Sequence, residues 1–219
     1  PAENGGVTLF TGNSAILLDQ TANLLTLTGA GGVEINGRDA TPYPGAGPNL
    51  LAGGTLEAAF RVRDQMAPDF MSQLDQVATD LVARFSETNV ADPSMVDGLN
   101  AAEDGLFTLS QGSGSPAQAI QVMQSVVDDT RRLRDGVYTE YDAAGLVTGP
   151  LGHPLTGQRP LAADSALIDG MLGAYRAGFG PDALTITRQV ENMTAVWEKS
   201  AQTAEQSAGF SRAAADTLL

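Results

Sequence analysis

The side chains able to do chemistry are few. Histidine occurs once, as His153 in the run Leu151-Gly152-His153-Pro154, and cysteine is absent. One imidazole without a thiolate cannot assemble the four-ligand set of a zinc centre. A lone histidine in a loop reads as a solvated side chain. Without cysteine there is no disulfide, thiolate nucleophile or cysteine-held metal. Gly112-Ser113-Gly114-Ser115 lacks the G-x-S-x-G spacing of a nucleophile elbow and reads as a flexible loop. Gly29 to Gly32 follows a strand pattern but has neither G-x-G-x-x-G spacing nor a following helix, and no glycine cluster leads into Lys-Ser or Lys-Thr.

Carboxylates are plentiful, yet no pair stands out as an acid and base for glycoside chemistry. Asp92, Asp97, Glu103 and Asp104 do not fit a twelve-residue calcium loop and read as a solvated connector. Arg131, Arg132 and Arg134 sit beside Asp128, Asp129 and Asp135, which reads as a local ion-pair surface rather than a phosphate site. Glu57 and Arg61 form an i, i+4 pair worth about 0.3 kcal/mol. The residue types therefore predict binding or structure, with no enzyme activity, cofactor or metal.

The elements that carry these residues belong to a folding chain: 219 residues, 42% hydrophobic. Lys and Arg number 12 against 26 Asp and Glu, a net charge of -14. Such a chain has no electrostatic attraction to nucleic acid phosphates or to anionic membrane surfaces. No apolar run approaches the ~20 residues that span a bilayer. The opening Pro1-Ala2-Glu3-Asn4-Gly5-Gly6 has neither the basic nor the apolar region of a signal peptide.

Strand and turn patterns fill residues 1–52. Val7–Phe10 and Ala15–Leu18 flank the turn residues Thr11-Gly12-Asn13-Ser14 and predict a hairpin. Leu24–Thr28 and Val33–Ile35 are further strands, the second running into the turn dipeptide Asn36-Gly37. Three prolines and two glycines make 41–49 irregular. From Gly53 the period becomes helical. Leu56, Phe60 and Arg63 share one register, and Phe70, Leu74, Val77, Leu81 and Phe85 continue beyond Pro68. One helix over about 53–88 follows, kinked at Pro68 or restarted there.

Residues 89–160 read as a connector with short strands and loops. Leu106–Leu109 suits a strand, Asp92-Pro93 could open a short helix, and 119–127 fits strand and helix patterns equally. Residues 161–219 form the C-terminal helices. Leu167, Ile168, Met171, Leu172 and Tyr175 mark one over 163–177, ended by Gly178. Gly180-Pro181-Asp182 starts the last. Its heptad seam runs through Ile186, Val190, Met193, Trp197, Ser200, Ala204, Ser207, Ser211, Ala214 and Leu218, bulky first and small later. The fold predicted is α+β, mainly α: a long-helix bundle with a small β-hairpin region.

Three stretches resemble the hook-associated protein 1 family, the hook–filament junction subunits of bacterial flagella. Gly6–Leu27 resembles a family hairpin followed by a Leu-rich strand. Asn49–Asn89 is the most specific, with Gly53, Gly54, Leu56, Arg63, Asp64, Leu74, Asp75, Leu81 and Phe85 at matching places. Ser86 and Thr88 depart from the Asn that usually follows the Phe. Ala119–Val137 resembles a segment after the family's variable insertion and favours strand for 119–127. Only 89–116 is available for the β-rich outer insertion, and the paired terminal helices of the family have no counterpart, so the chain resembles a body portion of the subunit.

The resemblance implies a structural protein exported to the extracellular flagellum without a cleaved signal peptide. Its partners would be like subunits and other axial proteins, namely the hook and the second junction protein, with no nucleic acid, membrane or small-molecule substrate. The bulky half of the seam would pack on the helix at 70–85. The small half, residues 200–218, would carry weak self-pairing in preference to residues 6–35. Two other readings use the same residues: a cytosolic adaptor that binds a partner helix through the seam, and an acidic helical enzyme domain with an unrecognised carboxylate site.

Overall fold

The computed structural model describes residues 8–11, 13–42, 49–52, 54–90, 104–112, 114–149, 156–161, 165–178 and 185–216. Among the described residues helix accounts for 50% and strand for 16%, and the sheets are small and antiparallel, so the fold is α+β and mainly α. It forms two compact units, Pro1–Phe70 with Thr194–Leu219, and Met71–Met193. His153, Gly53, Leu218, Asp92, Asp97, Glu103, Pro181 and Asp182 lie outside the described residues.

In the first unit, strands β1 (Leu9–Phe10) and β2 (Ile16–Leu18) form the expected hairpin. Ser14 closes its turn at φ 65°. Strands β3 (Leu25–Leu27), β4 (Val33–Ile35) and β5 (Arg38–Asp39) make a three-stranded meander in that order. Asn36 and Gly37 turn β4 into β5 with φ 52° and 76°, the left-handed pair that a two-residue hairpin requires. The strand Arg38–Asp39 was not anticipated, because its two charged residues carry no apolar alternation. Val33, Ile35, Ala40, Leu51 and Phe60 form the core of this unit. Each larger aliphatic or aromatic side chain buried there contributes about 1.5–3 kcal/mol.

Helix α1 (Gly54–Arg61) opens on Gly54 at φ 91°, a backbone that a side chain would strain. Helix then continues through a π turn, Val62–Met66, into α2 (Ala67–Arg84). The helical run thus continues past Pro68, with its irregularity just before the proline and no restart at it. Proline lacks an N–H, and its ring presses on the carbonyl four residues back. The wider turn just before it relieves that pressure: Ala67 N–H bonds to Val62 O, five residues back.

In the second unit α2 ends at Arg84, earlier than the 88 expected. The carbonyl of Phe85 accepts the N–H of Leu106 at 3.0 Å and so leaves the helical ladder. Helix α3 (Glu87–Val90) follows. Strand β6 (Phe107–Leu109) pairs with β7 (Ile120–Val122), which is flanked by α4 (Pro116–Ala119) and α5 (Gln124–Asp128). Both readings of 119–127 therefore hold over different residues: strand to Val122, helix from Gln124.

Helix α6 (Arg132–Asp135) leads to a hairpin of β8 (Glu140–Tyr141) and β9 (Val147–Gly149), within the connector of short strands and loops. Helix α7 spans Ala166–Arg176, and α8 spans Ile186–Asp216. Phe85, Val90, Leu167 and Met171 form the core, with Leu81, Phe107 and Ile186 against it. Ile168, Leu172 and Tyr175 stay exposed, so α7 buries a narrower face than its sequence pattern proposes.

Candidate helix-packing seam

Residues of the α8 seam divide between the two units. In Met71–Met193, Ile186 packs partly buried on the Phe85–Met171 core and Met193 is buried. Val190 is exposed, and Gln189 one place earlier is half-buried, its amide Nε2 donating to Asp80 Oδ2 at 3.0 Å. A polar residue thus occupies the place that hydropathy alone assigned to Val190. In the other unit, Trp197 is half-buried with its ring centroid 5.1 Å from that of Phe70, inclined by 51°. Ser200, Ala201 and Ala204 are also half-buried. The side chains of Ser207, Ser211 and Ala214 lie outside the description.

The residues that carry the family resemblance have separate roles. Arg63 stands in the π turn. Its guanidinium pairs with the Asp64 carboxylate, Nη2 to Oδ2 at 2.8 Å, and lies 4.6 Å from the centroid of the Phe60 ring. Its Nη1 donates to the carbonyl of Gly31 in the β3–β4 turn. Arg63 therefore fastens that turn to the helix, a role beyond the helical register read from the sequence. The hydrogen bond to Asp64 raises its already high pKa. A Cβ at Gly31 would stand 3.0 Å from Arg63 Nη1, and φ there is 77°.

Leu56 is exposed and Leu74 half-buried. Asp75 Oδ1 accepts the Ala117 N–H at 2.9 Å, while Leu81 and Phe85 belong to the core of the second unit. Glu57 and Arg61 pair at 3.1 Å.

Hydropathy reading passed over a set of buried polar residues. Arg84 is 1% exposed, and its Nη1 donates to the carbonyls of Ala174 and Ala177 at the C-terminus of α7. Those carbonyls form the negative end of the helix dipole, which a guanidinium complements. Burial lowers the Arg84 pKa. Glu87 is buried too, and accepts the Val137 N–H at 3.3 Å. The signal for Arg84 was present: it lies three residues after Leu81, on the apolar face, where a charge must find a buried partner.

The arginine–aspartate cluster is an ion-pair network. Arg131 Nη2 lies 2.6 Å from Asp129 Oδ2, and Arg134 pairs with Asp135. Tyr141 donates to Asp135 Oδ2 and has the Arg131 guanidinium 4.3 Å from its ring centroid. The Arg131 hydrogen bond holds the Asp129 carboxyl below the usual carboxylate range. Burial, reinforced by the hydrogen bond to Asp135, pushes the Tyr141 phenol up.

Among the described residues no group of three or more His, Cys, Asp or Glu could hold a metal ion. No described helix is long and apolar enough to cross a membrane. What these side chains do is pair helices, cap a helix end and fasten turns. No protein-family model matches the chain, and no curated protein or solved structure matches it either.

Proposed function

We propose that the chain is part of a structural subunit of the bacterial flagellum, of the hook-associated protein 1 type. It acts at the hook–filament junction by self-assembly and by contacts with other axial proteins. The observation that carries this reading is the Asn49–Asn89 stretch. Its matching residues from Gly54 to Phe85 lie in, or one residue beyond, a helical run that continues from Gly54 to Arg84 through a π turn. In this reading the long helices form a bundle with a small β-hairpin region, and the protein is exported, works outside the cell, and performs no catalysis. The seam on α8 and the Phe70–Trp197 contact support a packing role for these helices.

Gold-labelled antibodies raised against the 219-residue chain, applied to flagella of the source cells, test the reading. Label concentrated at the boundary between hook and filament is expected. Disruption of the gene should leave hooks without filaments. Label confined to the cell interior, with normal filaments after disruption, would overturn the proposal and favour the cytosolic adaptor.

A further inference from the structure

Leu27 stands directly opposite Val33 across the β3–β4 ladder, and Leu25 opposite Ile35. Residues directly opposite one another share a face of the sheet. Val33 and Ile35 are core residues, Val33 being 1% exposed, whereas Leu27 on the same face is 75% exposed and Leu25 is also exposed. Large apolar side chains at core-facing positions thus extend past the cover that the described residues supply.

Among the described residues no strand pairs with the outer edge of β3. Asn36 N–H bonds to Leu24 O and Thr28 N–H to Gly32 O, so the bonded pairs fall at residues 24, 26 and 28 of this strand. Alternation in an antiparallel ladder then turns the N–H and C=O groups of Leu25 and Leu27 away from β4. The opposite edge of the meander carries Arg38 and Asp39, charges that discourage strand addition. The β3 edge has no such protection: from Gln20 to Val33 there is no charged residue, and no proline.

We infer that β3, in place of the 200–218 stretch expected from the seam pattern, is the docking edge for a second copy of this chain, independently of the flagellar reading. The edge is self-complementary. Antiparallel pairing about Thr26 sets Leu25 against Leu27 of the partner and Leu27 against Leu25, and each pair exchanges both backbone bonds across a two-fold axis. The two meanders become one sheet, and the four leucines meet on the core-side face. Charge selects the occupant. A chain of net charge -14 repels its own copies wherever acidic groups face each other. The uncharged stretch avoids that repulsion and offers nothing to a basic partner.

The full 219-residue chain tests this without a competing thiol, because it has no cysteine. Thr26→Cys places the sulfurs at the non-hydrogen-bonded pair on the axis, the closest cross-strand site. Mild oxidation should convert most of that variant to a disulfide-linked dimer, while Phe210→Cys on exposed α8 stays mainly unlinked. Light scattering across a concentration series should show wild type passing from one chain to two. Leu27→Lys should weaken that step at least tenfold with an unchanged circular dichroism spectrum, and Phe210→Lys should leave it as in wild type. A wild-type chain that remains monomeric at every concentration overturns the inference. So does a dimer that Leu27→Lys leaves intact, or more rapid cross-linking through residue 210 than through residue 26.

Discussion

Gly170 of α7 lies against the backbone of Val90 in α3, so close that a Cβ on Gly170 would overlap the Val90 carbonyl oxygen. Gly173, one turn later in the same helix, has nothing within 4 Å of the place its Cβ would take. Glycine inside a helix ordinarily costs about 1 kcal/mol relative to alanine. The two positions should therefore respond oppositely. Gly173→Ala is expected to stabilise the protein by about 0.5–1 kcal/mol. Gly170→Ala should destabilise it by about 1–3 kcal/mol, since steric conflict outweighs the gain in propensity. Urea denaturation of the pair, followed by circular dichroism, checks the reversal of sign.

Removing Arg84 leaves the carbonyls of Ala174 and Ala177 without their buried donor. Arg84→Met should cost about 2–4 kcal/mol, because unmade bonds to buried groups are penalised beyond the net value of the bonds. Arg84→Lys keeps a donor but loses the planar fork, and should recover only part of the loss. Thermal denaturation measures both; equal stability of the methionine variant and wild type would count against the capping role.

The protein's one tryptophan is Trp197, and it reports on its contact with Phe70. Aromatic pairs of this geometry contribute about 0.5–1.5 kcal/mol beyond area burial. Phe70→Ala should shift Trp197 emission to longer wavelength, as water reaches the indole, and lower the unfolding midpoint. Phe70→Leu should retain most of the apolar cover with a smaller shift. Steady-state fluorescence resolves these outcomes.

Tyr141 gives the protein a sensitivity to alkali. Burial and the Asp135 hydrogen bond favour its neutral form when folded, so its folded pKa lies above its unfolded one. The stability it contributes is fully present below the ordinary tyrosine pKa near 10 and is lost as pH rises beyond it. Absorbance titration should show one of the four tyrosines ionising late, and Tyr141→Phe should remove that late phase. An unchanged titration in the phenylalanine variant would assign the late group elsewhere.

Where local stereochemistry or strict periodicity dictates the backbone, the sequence is explicit. Asn36-Gly37 marks its turn because few other dipeptides adopt two left-handed residues cheaply. The helical steps from Phe70 to Phe85 mark α2 for the same reason that an apolar face must stay in phase. Legibility fails where a partner distant in sequence decides. The end of α2 depends on Leu106 taking the carbonyl of Phe85, and the β8–β9 hairpin has only a few alternating residues among glycines. The π turn was signalled by Pro68 as a conflict, yet a proline does not state which resolution the chain adopts. Within the seam, Gln189 replaces Val190 because Asp80 offers a hydrogen bond that hydropathy cannot register. Arg63 and Arg84 likewise act on main-chain carbonyls, which every residue possesses and no pattern singles out.

The Asn36-Gly37 turn also sets how this molecule ages. An asparagine before glycine deamidates when the following amide nitrogen attacks its side-chain carbonyl. Here that side chain is tied down: Nδ2 donates to Asn23 Oδ1 at 2.7 Å and Oδ1 accepts the Leu24 N–H at 2.9 Å. Folded protein stored at neutral pH should therefore acquire acidic variants at this position several-fold more slowly than urea-unfolded protein, measured by isoelectric focusing and peptide mapping. Once formed, an aspartate at position 36 would set carboxylate oxygen against the Asn23 side-chain carbonyl and place a negative charge next to Asn23 and Leu24, which lie in the uncharged run Gln20–Val33.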